Sequence, residues 1–107
     1  MGIKGDIKMT EDPLEIIKNA DPELSELIGK GRAAAFNDSG IPLKYKFLIA
    51  MALDAAEGAA DGVRVLAMQA LSQGATKEEV MEAVRIAHYI CGVGSVYTAA
   101  RGLKDVL

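Results

Sequence analysis

The sequence predicts an all-α protein, a compact helical domain of about five to six helices that assembles as a homo-oligomer. No stretch alternates apolar and polar residues for long enough to predict a sheet, whereas helix start signals and apolar residues at helical spacing recur along the chain. Half of the 107 residues are apolar but only 5% are aromatic, so the core must consist mainly of small and aliphatic side chains. Because such side chains bury little area each, the chain gains from packing a helix face against a copy of itself.

The first part of the chain predicts a flexible segment followed by two helices. Residues 1–11 are polar and contain two glycines, so we expect a flexible N-terminal segment there and a single domain over residues 12–107. Asp12 is the expected cap of a short first helix, since a proline follows at the first helical position. Asp21, which also precedes a proline, repeats that signal and opens a second helix that ends before the turn residues 37–40.

The middle of the chain predicts two amphipathic helices that are separated by a break. The third helix covers about residues 42–57, and Gly58 and Gly62 bracket the break that follows it. A fourth helix then continues over residues 63–71. Gly74 is suited to the left-handed conformation that often follows the end of a helix.

The last part of the chain predicts two further helices. Thr76 and Glu79 form a capping-box pattern, in which each side chain satisfies a backbone donor at the start of the fifth helix. We expect this helix to extend to about Cys91 and to direct Ile90 and Cys91 inward. A glycine-containing break then follows, after which Ser95 is the expected cap of a final helix.

Charge and composition argue against several classes of protein. The net charge is −3 and no basic cluster is present, so nucleic acid is not a predicted partner. No uncharged run is long enough to span a bilayer, and the first residues lack the apolar segment of a signal peptide, so we expect a cytoplasmic protein without membrane contact. Cys91 is the single cysteine, which rules out an intramolecular disulfide, and the sequence predicts neither a metal site nor a cofactor.

Two parts of the chain carry a family resemblance. One comprises residues 43–53 and residues 70–83, with Gly-Ala-Thr at the capping turn, and the other comprises residues 90–97, with the glycine-containing break. Through these motifs and their spacing, residues 42–107 are similar to the carboxymuconolactone decarboxylase / alkylhydroperoxidase D-like family. The resemblance implies a helical fold of the alkylhydroperoxidase D-like type and an obligate homo-oligomer, commonly a trimer or a hexamer.

The redox centre of that family has no counterpart in this chain. Its redox members carry a glutamate, then Cys-x-x-Cys, then a histidine, because a thiolate attacks, a second cysteine resolves the adduct and the histidine relays the proton. Counting back from Gly74 places the equivalents of the two cysteines at Ala59 and Gly62. The equivalents of the histidine and the glutamate fall at Leu66 and Phe47. The chain thus resembles a divergent member without dicysteine peroxidase or disulfide reductase chemistry.

Three side chains are candidates for a decarboxylase-type catalytic set. His88 is the single histidine and would shuttle a proton, and the alternative is a structural histidine with one ring nitrogen bonded to a backbone carbonyl. Glu57 lies beside the expected break, close in sequence to Asp54 and Asp61, and the alternative for these carboxylates is a solvated helix end. Arg101 would bind a carboxylated substrate, because guanidinium groups pair well with carboxylates.

Other side chains are candidates for ligand contacts or for redox chemistry. Tyr97 lies one turn before Arg101, and this pair predicts either contact with a small anionic ligand or packing at a subunit interface. Phe47 and Leu66 are predicted ligand-binding residues, since they occupy positions that the resemblance assigns to the family's active centre. Cys91 is predicted to be an inert inward thiol, because it lies near a helix C-terminus, where the helix dipole opposes a thiolate.

We therefore predict a non-redox oligomeric protein that binds a small ligand or a partner. The first alternative is a decarboxylase-type enzyme that acts on a small carboxylated lactone, and the second is a one-cysteine peroxidase that uses Cys91, with the peroxiredoxin-like activity associated with the family. If the protein is an enzyme, we expect the side chain of His88 or of Arg101 to point into a cavity. If the protein only binds a ligand or a partner, we expect Phe47 and Leu66 to fill that cavity.

Overall fold

The computed structural model describes residues 13–107, and the regular structure in that range is entirely helical. The predicted all-α class is therefore confirmed. The flexible segment predicted over residues 1–11 and the cap predicted at Asp12 lie outside the described residues. The six helices are α1 (Glu15–Ala20), α2 (Pro22–Ala35), α3 (Leu43–Ala56), α4 (Ala60–Ser72), α5 (Lys77–Cys91) and α6 (Val93–Leu103).

The chain divides into two units, of which the first ends at Ala35 and contains α1 and α2. The start of α2 forms as the sequence predicts, since the backbone N–H of Leu24 donates to Asp21 Oδ1 over 3.1 Å, with Pro22 at the first helical position. Neither helix buries a residue, and Leu27 is 61% exposed. These two helices therefore form no core of their own.

The second unit, Phe36–Leu107, contains the hydrophobic core. Within it α3 packs against α4, α5 and α6, while α6 also packs against α4 and α5. Small and aliphatic side chains dominate this core, as the composition predicts. Its buried residues are Phe47, Leu48, Met51, Ala55, Val63, Ala67, Ala70, Ala75, Val80, Val84, Ala99 and Leu103.

The turn between α4 and α5 has the local structure that the sequence predicts. Gly74 adopts a φ of +98°, in the left-handed region that favours glycine, and the N–H of Ala75 donates to the carbonyl of Ala70 over 2.9 Å. The Thr76 hydroxyl accepts the N–H of Glu79 at 3.0 Å, and the Glu79 carboxylate accepts the N–H of Thr76 at 2.9 Å. This reciprocal pair is a complete capping box.

The break before α4 is shorter than the sequence predicts. Gly58 has a φ of +81°, but α4 already begins at Ala60, so Gly62 lies inside its first turn and not at the edge of a loop. The N–H groups of a first turn need no acceptor within the helix, so a glycine at that position does not interrupt it.

The junction of α5 and α6 overturns two predictions. Ser95 does not cap α6, because the helix begins directly after Gly92, and the Ser95 hydroxyl donates to the Gly92 carbonyl over 2.7 Å. One glycine with a φ of +91° redirects the chain, so no turn residues separate the two helices. Ile90 and Cys91 are exposed and not inward, because the buried face of α5 ends at Ala87.

The helices α4 and α6 approach each other closely at Gly102. A β-carbon on Gly102 would lie 2.6 Å from the carbonyl oxygen of Ala60 and 2.7 Å from Cβ of Val63. Those distances are well inside van der Waals contact, so the packing of the two helices depends on a glycine at this position.

Candidate functional site

Two of the predicted ligand-binding side chains belong to the hydrophobic core. Phe47 is buried, and its ring stacks on that of Phe36 with 5.1 Å between the centroids and 22° between the planes. Leu66 is half-buried and packs against the same core. The resemblance assigns these two positions to a glutamate and a histidine. In this chain they hold side chains that pack in the core and have no ionisable group to transfer a proton.

A carboxylate lies beside Gly62, one of the two positions that the resemblance assigns to the family's cysteines. Ala59 is the N-cap of α4, and its N–H donates to the backbone carbonyl of Asp54 over 2.9 Å. The half-buried Asp54 carboxylate lies directly against Gly62, where it would overlap any β-carbon. A larger side chain at position 62 would therefore have to displace the Asp54 carboxylate.

The predicted catalytic side chains lie on the surface. His88 is on α5, Arg101 is on α6 and Glu57 is the C-cap of α3, and all three are exposed. Arg101 donates to the hydroxyl of Thr98 over 3.4 Å, on its own helix. None of the three predicted catalytic residues lines either of the two grooves described below.

Tyr97 and Cys91 are also exposed. Tyr97 is 64% exposed on α6, one turn before Arg101, and it lines neither groove. Cys91 is a free thiol at the end of α5, so the prediction of an inward thiol is wrong. The structure therefore brings Phe47 and Leu66 together in the core, and it leaves the other predicted site residues outside both grooves.

A groove between α3 and α5 has the dimensions of a ligand site. Its volume is about 580 Å³, within the usual range for small-molecule pockets. Aliphatic side chains dominate its walls, and the ionisable groups along it are two carboxylates of α5 and the phenol of Tyr45. The lining residues are Tyr45, Leu48, Ile49, Ala52, Leu53, Glu79, Glu82, Ala83 and Ile86. This α3–α5 groove is the candidate functional site.

Glu79, which lines the α3–α5 groove, forms an ion pair with Lys44. Lys44 Nζ lies 3.4 Å from Glu79 Oε2 and 4.8 Å from the centroid of the Tyr45 ring. Partial burial lowers the pKa of Lys44, but hydrogen bonding to Tyr45 and the attraction of Glu79 outweigh it, so that pKa lies above its ordinary value. The hydrogen bond from the Thr76 N–H, followed by the attraction of Lys44, holds the pKa of Glu79 below its ordinary value.

Glu82 is the second carboxylate of the groove, and no ion pair engages it within residues 13–107. Glu82 and its neighbours are not among the site residues predicted from the sequence. For the α3 wall of the groove, the available sequence signal is a second apolar stripe, formed by Tyr45, Ile49 and Leu53 at intervals of four residues, opposite the buried stripe.

A smaller groove of about 250 Å³ lies between α5 and α6, with Lys104 as its charged lining residue. No group of His, Cys, Asp and Glu side chains within residues 13–107 is placed to hold a metal ion. None of the helices described above combines the length and the apolar character that crossing a bilayer requires.

A comparison with protein-family models and a comparison with solved structures identify the same family. The sequence model of the carboxymuconolactone decarboxylase family matches residues 22–105. The fold is similar to the crystal structure of an apo carboxymuconolactone decarboxylase family protein from Legionella pneumophila, with a TM-score of 0.80 and 31% sequence identity, covering 85% of this chain and 81% of that chain. Curated proteins give no significant match.

Proposed function

This chain belongs to the carboxymuconolactone decarboxylase family, as its motifs predict, and from this premise we propose that it is a non-redox, homo-oligomeric member that binds a small ligand or a partner. The observation that carries the proposal is the placement of Phe47 and Leu66 in the core. A dithiol peroxidase needs a thiolate, a resolving thiol and a proton relay within reach of one another. The four positions that correspond to those groups carry no nucleophile, acid or base.

The α3–α5 groove favours an apolar ligand with a neutral or cationic group. Its walls are mainly aliphatic, and burying apolar ligand surface there contributes about 25 cal/mol per Å². Glu79 already pairs with Lys44, so Glu82 is the carboxylate available to a ligand. The same carboxylate repels an acid in the groove. An anionic ligand stays a prediction that rests on Tyr97 and Arg101, which lie outside the groove.

The two catalytic alternatives draw less support from the geometry. A decarboxylase-type mechanism requires its acid, base and carboxylate-binding groups around one substrate, and His88, Glu57 and Arg101 are exposed side chains that line neither groove. A one-cysteine peroxidase would rely on Cys91, which lines neither groove and lies at the C-terminal end of α5, where the helix dipole opposes a thiolate.

Thermal unfolding with three probes that share one apolar body tests the ligand class. The probes are phenethylamine, phenethyl alcohol and phenylacetate. At ten times its Kd a ligand adds about 1.4 kcal/mol to the free energy of unfolding, which raises Tm by several degrees. We expect the largest shift with the amine, a smaller one with the alcohol and none with the acid. Glu82→Gln should remove the difference between amine and alcohol and keep the shift with the alcohol.

Turnover assays test the non-redox character separately. We expect no hydroperoxide reduction with a dithiol reductant beyond that of the matched Cys91→Ser variant. Thiol-dependent turnover that Cys91→Ser abolishes would overturn the non-redox proposal. Decarboxylation of a carboxylated lactone that His88→Ala abolishes would assign the enzymatic alternative, and tighter binding of phenylacetate than of phenethylamine would overturn the ligand class.

A further inference from the structure

We propose that the groove between α5 and α6 is a second binding site, which holds an unbranched aliphatic carboxylate with its charged end on Lys104. This α5–α6 groove is the smaller of the two grooves described above. The inference goes beyond the proposed function, because it concerns a different site and a ligand of the opposite charge.

The surface of the α5–α6 groove is mainly aliphatic. Val84, Ala99 and Leu103 line it and are also members of the buried core, so core packing holds that part of the site in place. Met81 and Leu107 line it as well and are 39% and 42% exposed. An aliphatic chain that covers these side chains removes apolar surface from water, which contributes about 25 cal/mol per Å². The groove therefore favours a ligand with a hydrocarbon body.

The charges at the α5–α6 groove favour an anion. Of the described residues that line the groove, Lys104 alone has a polar side chain, and no ion pair engages it within residues 13–107. Lys77 and Arg85 lie four residues before and four residues after Met81, which places them on the same side of α5. Glu78, three residues before Met81, offsets one of these charges. The remaining positive charge attracts a carboxylate, whereas the α3–α5 groove, lined by two carboxylates, repels one.

The dimensions of the α5–α6 groove select a thin ligand. Its lining on α6 extends from Val96 to Leu103, which is about 10 Å at the rise of an α-helix. A volume of about 250 Å³ over that length leaves a cross-section of about 25 Å², the width of a single hydrocarbon chain. A cavity of about 150 Å³ holds benzene, so this volume suits about ten heavy atoms, the size of octanoate. A phenyl ring is wider than such a chain, so we do not expect phenylacetate to bind here.

The end of α6 determines which way the ligand lies. Lys104 is the C-cap of α6, and the carbonyl oxygen of Leu103 accepts the N–H groups of Val106 at 2.9 Å and Leu107 at 3.1 Å. This carbonyl is therefore occupied and does not face a bound carboxylate with a free lone-pair acceptor. With the carboxylate at Lys104, the hydrocarbon chain extends along α6 over Ala100 towards the start of the helix.

Isothermal titration calorimetry of the full chain with octanoate tests the α5–α6 groove. Lys104→Met keeps an apolar side chain but removes the charge, and we expect it to raise the Kd for octanoate about fivefold. Ala100→Leu adds a larger side chain at an exposed position of the lining, and we expect it to raise the Kd about tenfold or more. Lys30→Met is the matched control, since it removes a lysine charge on α2 that lines neither groove. Circular dichroism verifies that each variant is folded.

The pattern across the variants decides the inference. Octanoate binding that Lys104→Met and Ala100→Leu both weaken, and that Lys30→Met leaves unchanged, supports it. Absence of binding overturns it, and so does binding that either groove variant leaves unchanged. A loss of binding with Arg101→Met alone would assign the acid to the Tyr97 and Arg101 pair and would overturn it too. These outcomes leave the α3–α5 groove untouched, because the amine probe and Glu82→Gln test that site separately.

Discussion

Substitution by alanine should change the free energy of unfolding in opposite directions at two glycines of α6, Gly102 and Gly94. Gly102→Ala places a β-carbon 2.6 Å from the Ala60 carbonyl oxygen and 2.7 Å from Val63 Cβ, where about 3.5–4.0 Å is optimal. Neither neighbour is the end of a flexible side chain, so α6 has to move about 1 Å away from α4. Overpacking of this kind costs up to about 3 kcal/mol. The higher helix propensity of alanine offsets about 1 kcal/mol of this cost. The free energy of unfolding should therefore fall by about 2 kcal/mol.

Gly94→Ala is the matched control within the same helix. A β-carbon on Gly94 meets no atom within 4 Å, so alanine should raise the free energy of unfolding by about 0.5–1 kcal/mol. Urea unfolding followed by circular dichroism measures both changes, at one protein concentration because the proposed assembly would contribute to stability. The expected loss of Tm for Gly102→Ala is about 10 °C. A Gly102→Ala variant as stable as the unmodified protein would refute the close approach of α4 and α6.

Three further predictions concern the turn between α4 and α5. Thr76→Ala should lower the free energy of unfolding by about 1 kcal/mol, since it removes the cap of α5, and an unchanged urea midpoint would contradict this. Gly74→Ala should cost about 1–2 kcal/mol, because its φ of +98° is strained for alanine, and increased stability would contradict the turn geometry. Glu79→Gln keeps the capping geometry but removes the charge that the Thr76 N–H and Lys44 stabilise. Because the folded pKa of Glu79 lies below 4.5, that contribution is complete above pH 4.5 and is lost as the pH falls through the folded pKa. The Tm deficit of Glu79→Gln should therefore be present at neutral pH and shrink in acid, and a deficit independent of pH would contradict it.

The helix boundaries were predictable where a local interaction sets them. The capping box of Thr76 and Glu79, the left-handed Gly74 and the Asp21 cap each depend on atoms within a few residues, so the sequence pattern contains the whole interaction. Ser95 shows the limit of such signals. Its hydroxyl can accept a hydrogen bond at the start of a helix or donate one within it, and the conformation of Gly92 decides between the two.

The candidate site was less predictable than the fold. The absence of a Cys-x-x-Cys pair follows from residue types alone, because a thiol that is absent from the sequence cannot be supplied by folding. The predicted catalytic residues His88 and Arg101 were chosen for their chemistry, and both lie on the surface outside the two grooves. The groove residues Ile49 and Ile86 carry no reactive group, so a search for reactive side chains misses them, and the sequence marks Ile49 only through the second apolar stripe of α3.

By itself the sequence determined the helical class, most helix ends and the family, since these depend on periodicity, on short-range hydrogen bonds and on motif spacing. Only the tertiary structure decided which of the two apolar sides of α3 is buried, and that the last turn of α5 leaves Ile90 and Cys91 exposed. Burial depends on what packs against a helix, and residues distant in sequence supply those contacts. A periodic pattern shows that a helix has an apolar side, but it does not show what covers it.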